Sequence, residues 1–406
     1  MRATPTAPRL PVVGALPFLR YGRSDFLLKT GRRLGDAYWL HLGRERVLIV
    51  GHPSAAADVL ENVGDRFPDK GGPRGFRRST LPFVGGGLST WNAMDAEWRP
   101  RRSAAARLLR KAHIPQDWKL PEGRITGTAL RRRIAEQVVR SLSKAFLGVD
   151  ATPEQATEVV ASFNALGADF WAGKLPGPHP YRARAARGAT ARLEAIAGAW
   201  VDGGSDSAPI RHHLPDLGPE RIRNEVLSQL LSVGTLTIPI EWALHLLAEH
   251  SDVQSAIRSD LVAGDHGLLH RVVRESLRLC PSTYWIQRRA AHDTDVAGVR
   301  LAAGDVVVIH VPSVHRHVDY WETPDDFEPD RFLESDWKHA WMPFGRAARL
   351  CVAQRYSVDV MAAVLADILS TRRVTRVSLG QSSLGTGLNL IPRAGALVLT
   401  PLRDPN

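Results

Sequence analysis

Apolar side chains along this chain recur with two different periods. Between about residues 121 and 279 they return every three or four positions, the spacing that gives a helix one apolar face. The strongest such stretch is PERIRNEVLSQLLSVGTLTIPIEWALHLLAEH (219–250), long, largely apolar and interrupted by Pro239. Met361, Val364, Leu365, Ile368 and Leu369 repeat the helical spacing further on. Elsewhere the period is two. AYWLHLGRERVLIVGHP (37–53) sets two apolar runs around Gly43–Arg46 and predicts a hairpin. From Trp285 onward, RRAAHDTDVAGVRLAAGDVVVIHVP alternates and turns at Gly298 and Gly304, and GLNLIPRAGALVLTPL predicts a terminal hairpin.

Between these regions PSAAADVLENV predicts a short helix beginning at its proline. Residues 64–93 are rich in Gly and Pro but carry several apolar side chains, the mark of a lid or binding loop. A helix is predicted over 95–112, with Asp95 as its N-cap. No internal repeat and no long linker divides the chain. The pattern therefore predicts a mainly α fold with a minor β region, one domain over 1–406, and an extended lead-in over 1–20.

Composition narrows the function. Of 406 residues, 44% are hydrophobic and 23% charged, which excludes a disordered chain. The formal charge of +11 invites a nucleic-acid reading, but the arginines are scattered and form no basic block interleaved with aromatics. No nucleic-acid partner is expected; a basic face steering an acidic protein is the narrower reading. Cys280 and Cys351 are the only cysteines, which excludes a disulfide framework and fits a reducing compartment. The opening MRATPTAPRLPVVGALPFLRYGR has no apolar run long enough to span a bilayer. A soluble, cytoplasmic protein without membrane contact is expected.

Candidate chemistry centres on FGRAARLC (344–351). Cys351 lies just ahead of a predicted helix, where unpaired amides and the helix dipole favour the thiolate, the form that ligates metal. FGR reads as a turn permitted by Gly345, and Arg349 is placed to pair an anion. A thiolate beside a cation suits either a nucleophile or a haem ligand. Three further features bear on the choice. RESLRL sets Glu275 and Arg278 at i, i+3 on one helical face. FEPDRFL places Arg331 between aromatics, able to complete a Glu–Arg–Arg network. Trp98 and Arg102 stand at i, i+4 on the helix after the long loop.

In this order and spacing, ESLR, FEPDRF and FGRAARLC resemble the cytochrome P-450 superfamily of haem-thiolate monooxygenases, over essentially the whole chain. The resemblance implies the triangular-prism helical fold with small antiparallel sheets, and haem b held by the Cys351 thiolate, which donates electron density to the iron. It implies Phe344 and Gly345 on the haem's proximal side, and propionate binding by Arg349, Trp98, Arg102 and Arg289, with Arg288 the neighbouring alternative. Glu275, Arg278 and Arg331 are implied as the network holding the cysteine loop. The implied reaction inserts one atom of dioxygen into an apolar small molecule, in the manner of actinobacterial tailoring enzymes. Its electrons come from a ferredoxin and ferredoxin reductase, docked on a face for which Arg99, Arg101, Arg346 and Arg355 are candidates. The substrate pocket is expected to draw on Phe76, Leu81, Phe83, Leu88, Val233, Leu236, Thr237, Tyr284, Trp285 and Leu384.

The chain also departs from the family pattern. Ala347 and Ala353 replace two glycines usual around the cysteine, and Ala347 is strained if its turn needs a positive φ. In the central helix, Thr235 falls at the position of the oxygen-site threonine and Gly234 at that of its usual acidic partner; a two-residue shift substitutes Thr237 and Leu236. Neither register restores the acid. Pro239 has no N–H to give the carbonyl of residue 235, so it either opens a groove there or merely kinks a buried helix. Two rival functions follow: a peroxide-using or otherwise atypical haem-thiolate enzyme, and a non-catalytic haem-binding sensor. His212, His213, His315, His317 and Cys280 are read as local packing or loop residues.

Overall fold

A computed structural model describes residues 4–21, 23–43, 45–69, 86–88, 95–118, 120–172, 180–204, 207–231, 233–334, 336–377, 390, 392 and 396–402. The helices in chain order are α1 (Leu16–Tyr21), α2 (Arg23–Leu34), α3 (Pro53–Glu61), α4 (Trp98–Lys111) and α5 (Gly127–Leu147). They continue as α6 (Pro153–Ala172), α7 (Pro180–Gly203), α8 (Pro219–Leu230) and α9 (Val233–Glu249). The last four are α10 (Ser251–Val262), α11 (Gly267–Leu279), α12 (Val311–Val314) and α13 (Gln354–Thr371).

Local signals explain several boundaries. The Thr126 hydroxyl accepts from the Ala129 amide at 3.2 Å and caps α5, which stops at left-handed Gly148. Pro53 and Pro219 open α3 and α8 at a position that needs no N–H. α4 starts three residues later than Asp95: Glu97 takes the cap position without a side-chain bond, and the Asp95 carbonyl accepts from the Trp98 amide at 2.9 Å. The long apolar run divides in two, α8 ending at Leu230 and α9 beginning at Val233, with Pro239 inside α9.

The predicted hairpin forms from β1 (Ala37–Leu42) and β2 (Glu45–Val50), paired antiparallel. The other strands are β3 (Gly123–Thr126), β4 (Trp285–Arg289), β5 (Thr294–Val296), β6 (Val299–Leu301) and β7 (Val306–His310), followed by β8 (Arg372–Val377) and β9 (Ala396–Pro401). Gly298 and Gly304 take positive φ at the expected turns. The main sheet runs β1-β2-β7-β4; β2 and β7 are parallel, with Leu48 opposite Val307, so this sheet is mixed rather than antiparallel. The terminal strand departs from expectation: β9 pairs with β8 on one side and β3 on the other. Hydrogen bonding across sequence distance sets sheet partners, and a local alternation pattern does not name them.

The largest apolar cluster gathers Ile134 and Val138 of α5, Val226 of α8, Leu244 of α9, Val272 of α11 and Leu365 of α13. Met361, Val364, Leu365, Ile368 and Leu369 are all buried. α9 lies against α5 closely enough that a Cβ on Gly127 would strike the Glu241 carboxylate, which pairs with Arg131. The 219–249 run is apolar and long enough to cross a membrane, but 76% of its most apolar window is buried inside the fold, as in a core helix.

Candidate active site

The cysteine loop is built on one turn and one network. Cys351 donates its amide to the Phe344 carbonyl at 2.8 Å, and Gly345 donates to Met342 at 3.0 Å. Gly345 has φ +74° and Ala347 φ +53°, so Ala347 does occupy the left-handed region that its Cβ disfavours. Ala353 has φ −93° and carries no such strain. Cys280, by contrast, is buried with its thiol pushed up to about 12 by burial, as fits a small core residue.

Behind the loop, Arg278 spends all five guanidinium donors. Nε and Nη2 reach the two Glu275 oxygens at 2.6 and 2.8 Å; the remaining bonds go to the carbonyls of His315, Pro324 and Asp326 at 3.0, 2.7 and 2.9 Å. Glu275 also accepts from Arg331 Nε at 3.1 Å and from the Glu328 amide at 2.9 Å. His315 extends the network: its Nδ1 donates to the Arg278 carbonyl at 3.0 Å and its Nε2 accepts from Met342 at 2.9 Å. Burial pulls the His315 pKa down to about 3, so the ring stays neutral and can do both. Helix α11 is thereby tied to the turn that presents Cys351.

In front of the loop lies a cavity enclosing about 1020 Å³ free of protein atoms, part of it open to solvent. Cys351, Phe344, Gly345 and Arg349 border it on one side, and Val233, Thr235, Leu236 and Pro239 of α9 on the other. Thr235 therefore faces the cavity. Thr237 does not: it is only 2% exposed and its hydroxyl donates to the Gly234 carbonyl at 3.1 Å. Two positions along a helix differ by roughly 200°, so only one of the two threonines can look inward.

The basic side chains need a correction. Arg288, not Arg289, borders the cavity; Arg289 turns away and donates to the Gly304 carbonyl at 2.6 Å. Successive residues of β4 point to opposite faces, and the cavity takes the even-numbered face that also carries Ile286. Tyr284 and Trp285 are likewise not among its lining; Ser282, Thr283 and Ile286 take that part of the wall. Leu88 is buried in the main cluster without bordering the cavity. Phe76, Leu81, Phe83 and Leu384 lie outside the described residues. Arg101, proposed for an exposed basic face, is 2% exposed and paired with Glu97 and Glu225. Arg346 bonds Glu61 at 2.5 Å, while Arg99 and Arg355 are exposed.

The donor set fits haem. Arg102 and Arg349 stand 5.4 and 5.1 Å from the Trp98 ring centre. Burial, then repulsion from Arg288 and Arg102, lowers the Arg349 pKa to about 10, with Asp95 and Asp69 offsetting part. Burial lowers Arg288 to about 10 as well, opposed by Asp69. Three crowded, desolvated guanidiniums beside a wide slot suit a ligand carrying two carboxylates. The thiol itself overturns one expectation: burial raises the Cys351 pKa, and the Ala353 amide and Arg102 only partly offset it. The Ala353 amide at the helix start favours the thiolate, but burial outweighs it.

The sequence model of the family described as Cytochrome P450 matches residues 4–147 and 211–384. A putative cytochrome P450 137 of Mycobacterium tuberculosis is 29% identical over 45% of this chain and 39% of its own length. Pentalenene oxygenase of Streptomyces avermitilis is 25% identical over 91% of each chain. Human cytochrome P450 4V2 is 31% identical over 38% of this chain and 33% of its own.

Proposed function

Since the chain belongs to the cytochrome P450 family, whose members hold haem through a cysteine thiolate, we propose that it is a haem-thiolate monooxygenase. It inserts one atom of dioxygen, by hydroxylation or epoxidation, into an apolar small molecule of secondary metabolism. It works in the cytoplasm with electrons from a ferredoxin and its reductase. The observation that carries this reading is that Cys351, Arg288, Arg349 and Thr235 border one cavity. The largely apolar α9 wall supports an apolar substrate, and the relative named pentalenene oxygenase supports a natural-product setting.

Bound haem supplies the activation of dioxygen, which no side chain offers. The chain supplies the rest. Cys351 ligates iron and pushes electron density toward it, while the Ala353 amide bonds the sulfur and tunes it. Arg288, Arg349, Arg102 and Trp98 hold the propionates. The Thr235 hydroxyl holds a proton at the oxygen site. Gly234 brings no carboxylate, is exposed, and has nothing within 4 Å of the place its Cβ would occupy. Water entering beside Gly234, or a hydroxyl of the substrate, then delivers protons to Thr235. Exposed Arg99 and Arg355 steer the electron donor; reversing their charges is expected to slow reduction without weakening substrate binding.

The first test is the dithionite-reduced carbon monoxide spectrum of the purified protein. A strongly red-shifted Soret band, lost in C351A, is the expected result; a haem spectrum without that shift overturns thiolate ligation. The missing acid at Gly234 favours a second reading, turnover with hydrogen peroxide alone. Product from peroxide without ferredoxin and reductase would select it, and product from neither would select a sensor. Under the first reading, G234D raises the fraction of electrons that end in product.

A further inference from the structure

Helix α8 carries a buried carboxylate that the oxygen chemistry leaves unused. Glu225 lies on α8, four residues before Gln229, which borders the cavity. It is therefore on the same face of α8 as Gln229, one turn earlier. Its carboxylate is 2% exposed and serves two separate pieces of chain: it pairs with Arg101 of α4 and accepts from the Leu88 amide at 3.1 Å. Arg101 is equally buried and divides its donors, with Nη2 reaching Glu97 at 2.7 Å. The next residue, Arg102, turns the other way, toward Trp98 and the Cys351 side.

Packing reinforces the same junction. A Cβ on Gly87 would fall 2.4 Å from the Asn224 carbonyl oxygen and 2.5 Å from the Ser228 Cβ, so backbone lies directly on α8 here and glycine alone permits it. Leu88 and Trp98 belong to the same buried cluster. A buried ion pair is ordinarily explained by packing alone. This one differs because a single carboxylate of α8 grips a loop amide and the helix of the haem-side arginines together.

We propose that Glu225 is a positioning residue, a clasp that holds the 86–88 segment and α4 against α8, whose Gln229 one turn on borders the cavity, and so limits the admission of bulky ligands. The clasp rests on the cavity being a haem pocket, which the carbon monoxide spectrum of each sample checks independently. The test uses the haem-loaded protein and its E225Q variant. Amide hydrogen exchange is followed on the peptide containing Gly86–Leu88, and association of clotrimazole and of imidazole is followed through the Soret band. In E225Q the Leu88 amide is expected to exchange about tenfold faster or more. Clotrimazole is expected to associate severalfold faster while imidazole and the carbon monoxide spectrum do not change. Unchanged exchange overturns the clasp, and so does faster exchange with unchanged clotrimazole association. Should E225Q fail to retain haem, R101K is read the same way: a smaller rise in both supports the clasp, and no rise overturns it.

Discussion

Two groups of arginines sit within a few residues of the cysteine loop, and they are used in opposite ways. Around Glu275, Arg278 and Arg331 every charge meets its partner inside the protein, and Arg278 has no donor left over. Around the cavity, Arg102, Arg288 and Arg349 crowd one another, and burial lowers the pKa of all three. The first group is finished by folding. The second is a set of desolvated, mutually repelling cations beside a cavity, and is where the proposed haem would bring its two carboxylates. Residue type is the same in both; like-charge crowding at a cavity separates a candidate binding site from a fastening.

The comparison breaks most visibly at Glu275. E275Q keeps the shape but leaves the buried Arg278 guanidinium without its carboxylate and Arg331 with that of Glu328 alone, and is expected to cost about 3–5 kcal/mol in chemical denaturation, with most protein recovered insoluble. R288Q sharpens the contrast from the other side. It removes a charge-assisted bond to the propionate, about 1.5–3 kcal/mol, so haem transfer to apomyoglobin accelerates tenfold or more. The melting temperature of the haem-free protein is expected not to fall, because a like-charge contact has been relieved.

A buried histidine on α9 adds to the acid sensitivity that His310 and His315 also bring. His245 is 5% exposed, and burial, aided by Arg376, pulls its pKa down to about 4. The folded ring refuses a proton that the unfolded chain accepts near pH 6.5, so its contribution is intact above pH 6.5 and is lost as pH falls toward about 4. At pH 5 the loss from this residue is about 2 kcal/mol, measurable as the amount by which H245L shrinks the difference between denaturation at pH 7.5 and 5.0. The smallest effect belongs to the turn. A347G relieves the left-handed alanine at φ +53° and is expected to stabilise by about 0.5–1 kcal/mol in thermal melts, without altering the haem spectrum.

What could be read beforehand follows from how local each feature is. Glu275 and Arg278 share one helical turn, and Arg331 is carried by a recognisable FEPDRF stretch, so their meeting was legible in the sequence. The positive φ of Ala347 was legible for the same reason, as a residue out of place in a tight turn. RR on a strand offers Arg289 and Arg288 as two candidates for the cavity side, and only pairing with β7 decides that Arg288 faces it. Glu225 was missed altogether, although a carboxylate amid RIRNEVLSQLL carries a signal: on a buried helix face it needs a partner from elsewhere. That partner, Arg101, had been read as surface because α4 is basic along its whole length.

The parallel pairing of Val47 with Val306 and the antiparallel pairing of Ile125 with Leu397 have a consequence for the chain during its synthesis. β2 lacks its second partner until Val306 appears, and β3 has no partner until Ala396. The same delay governs Trp98 and Arg102, which wait for Arg349 and Cys351. At about 5–20 residues per second, residue 351 emerges roughly 20–70 s after the first. Until then the growing chain can pair its main sheet but has no Cys351, no proximal turn and no β3–β9–β8 sheet. A product terminated before residue 351 therefore lacks the sulfur proposed to hold haem.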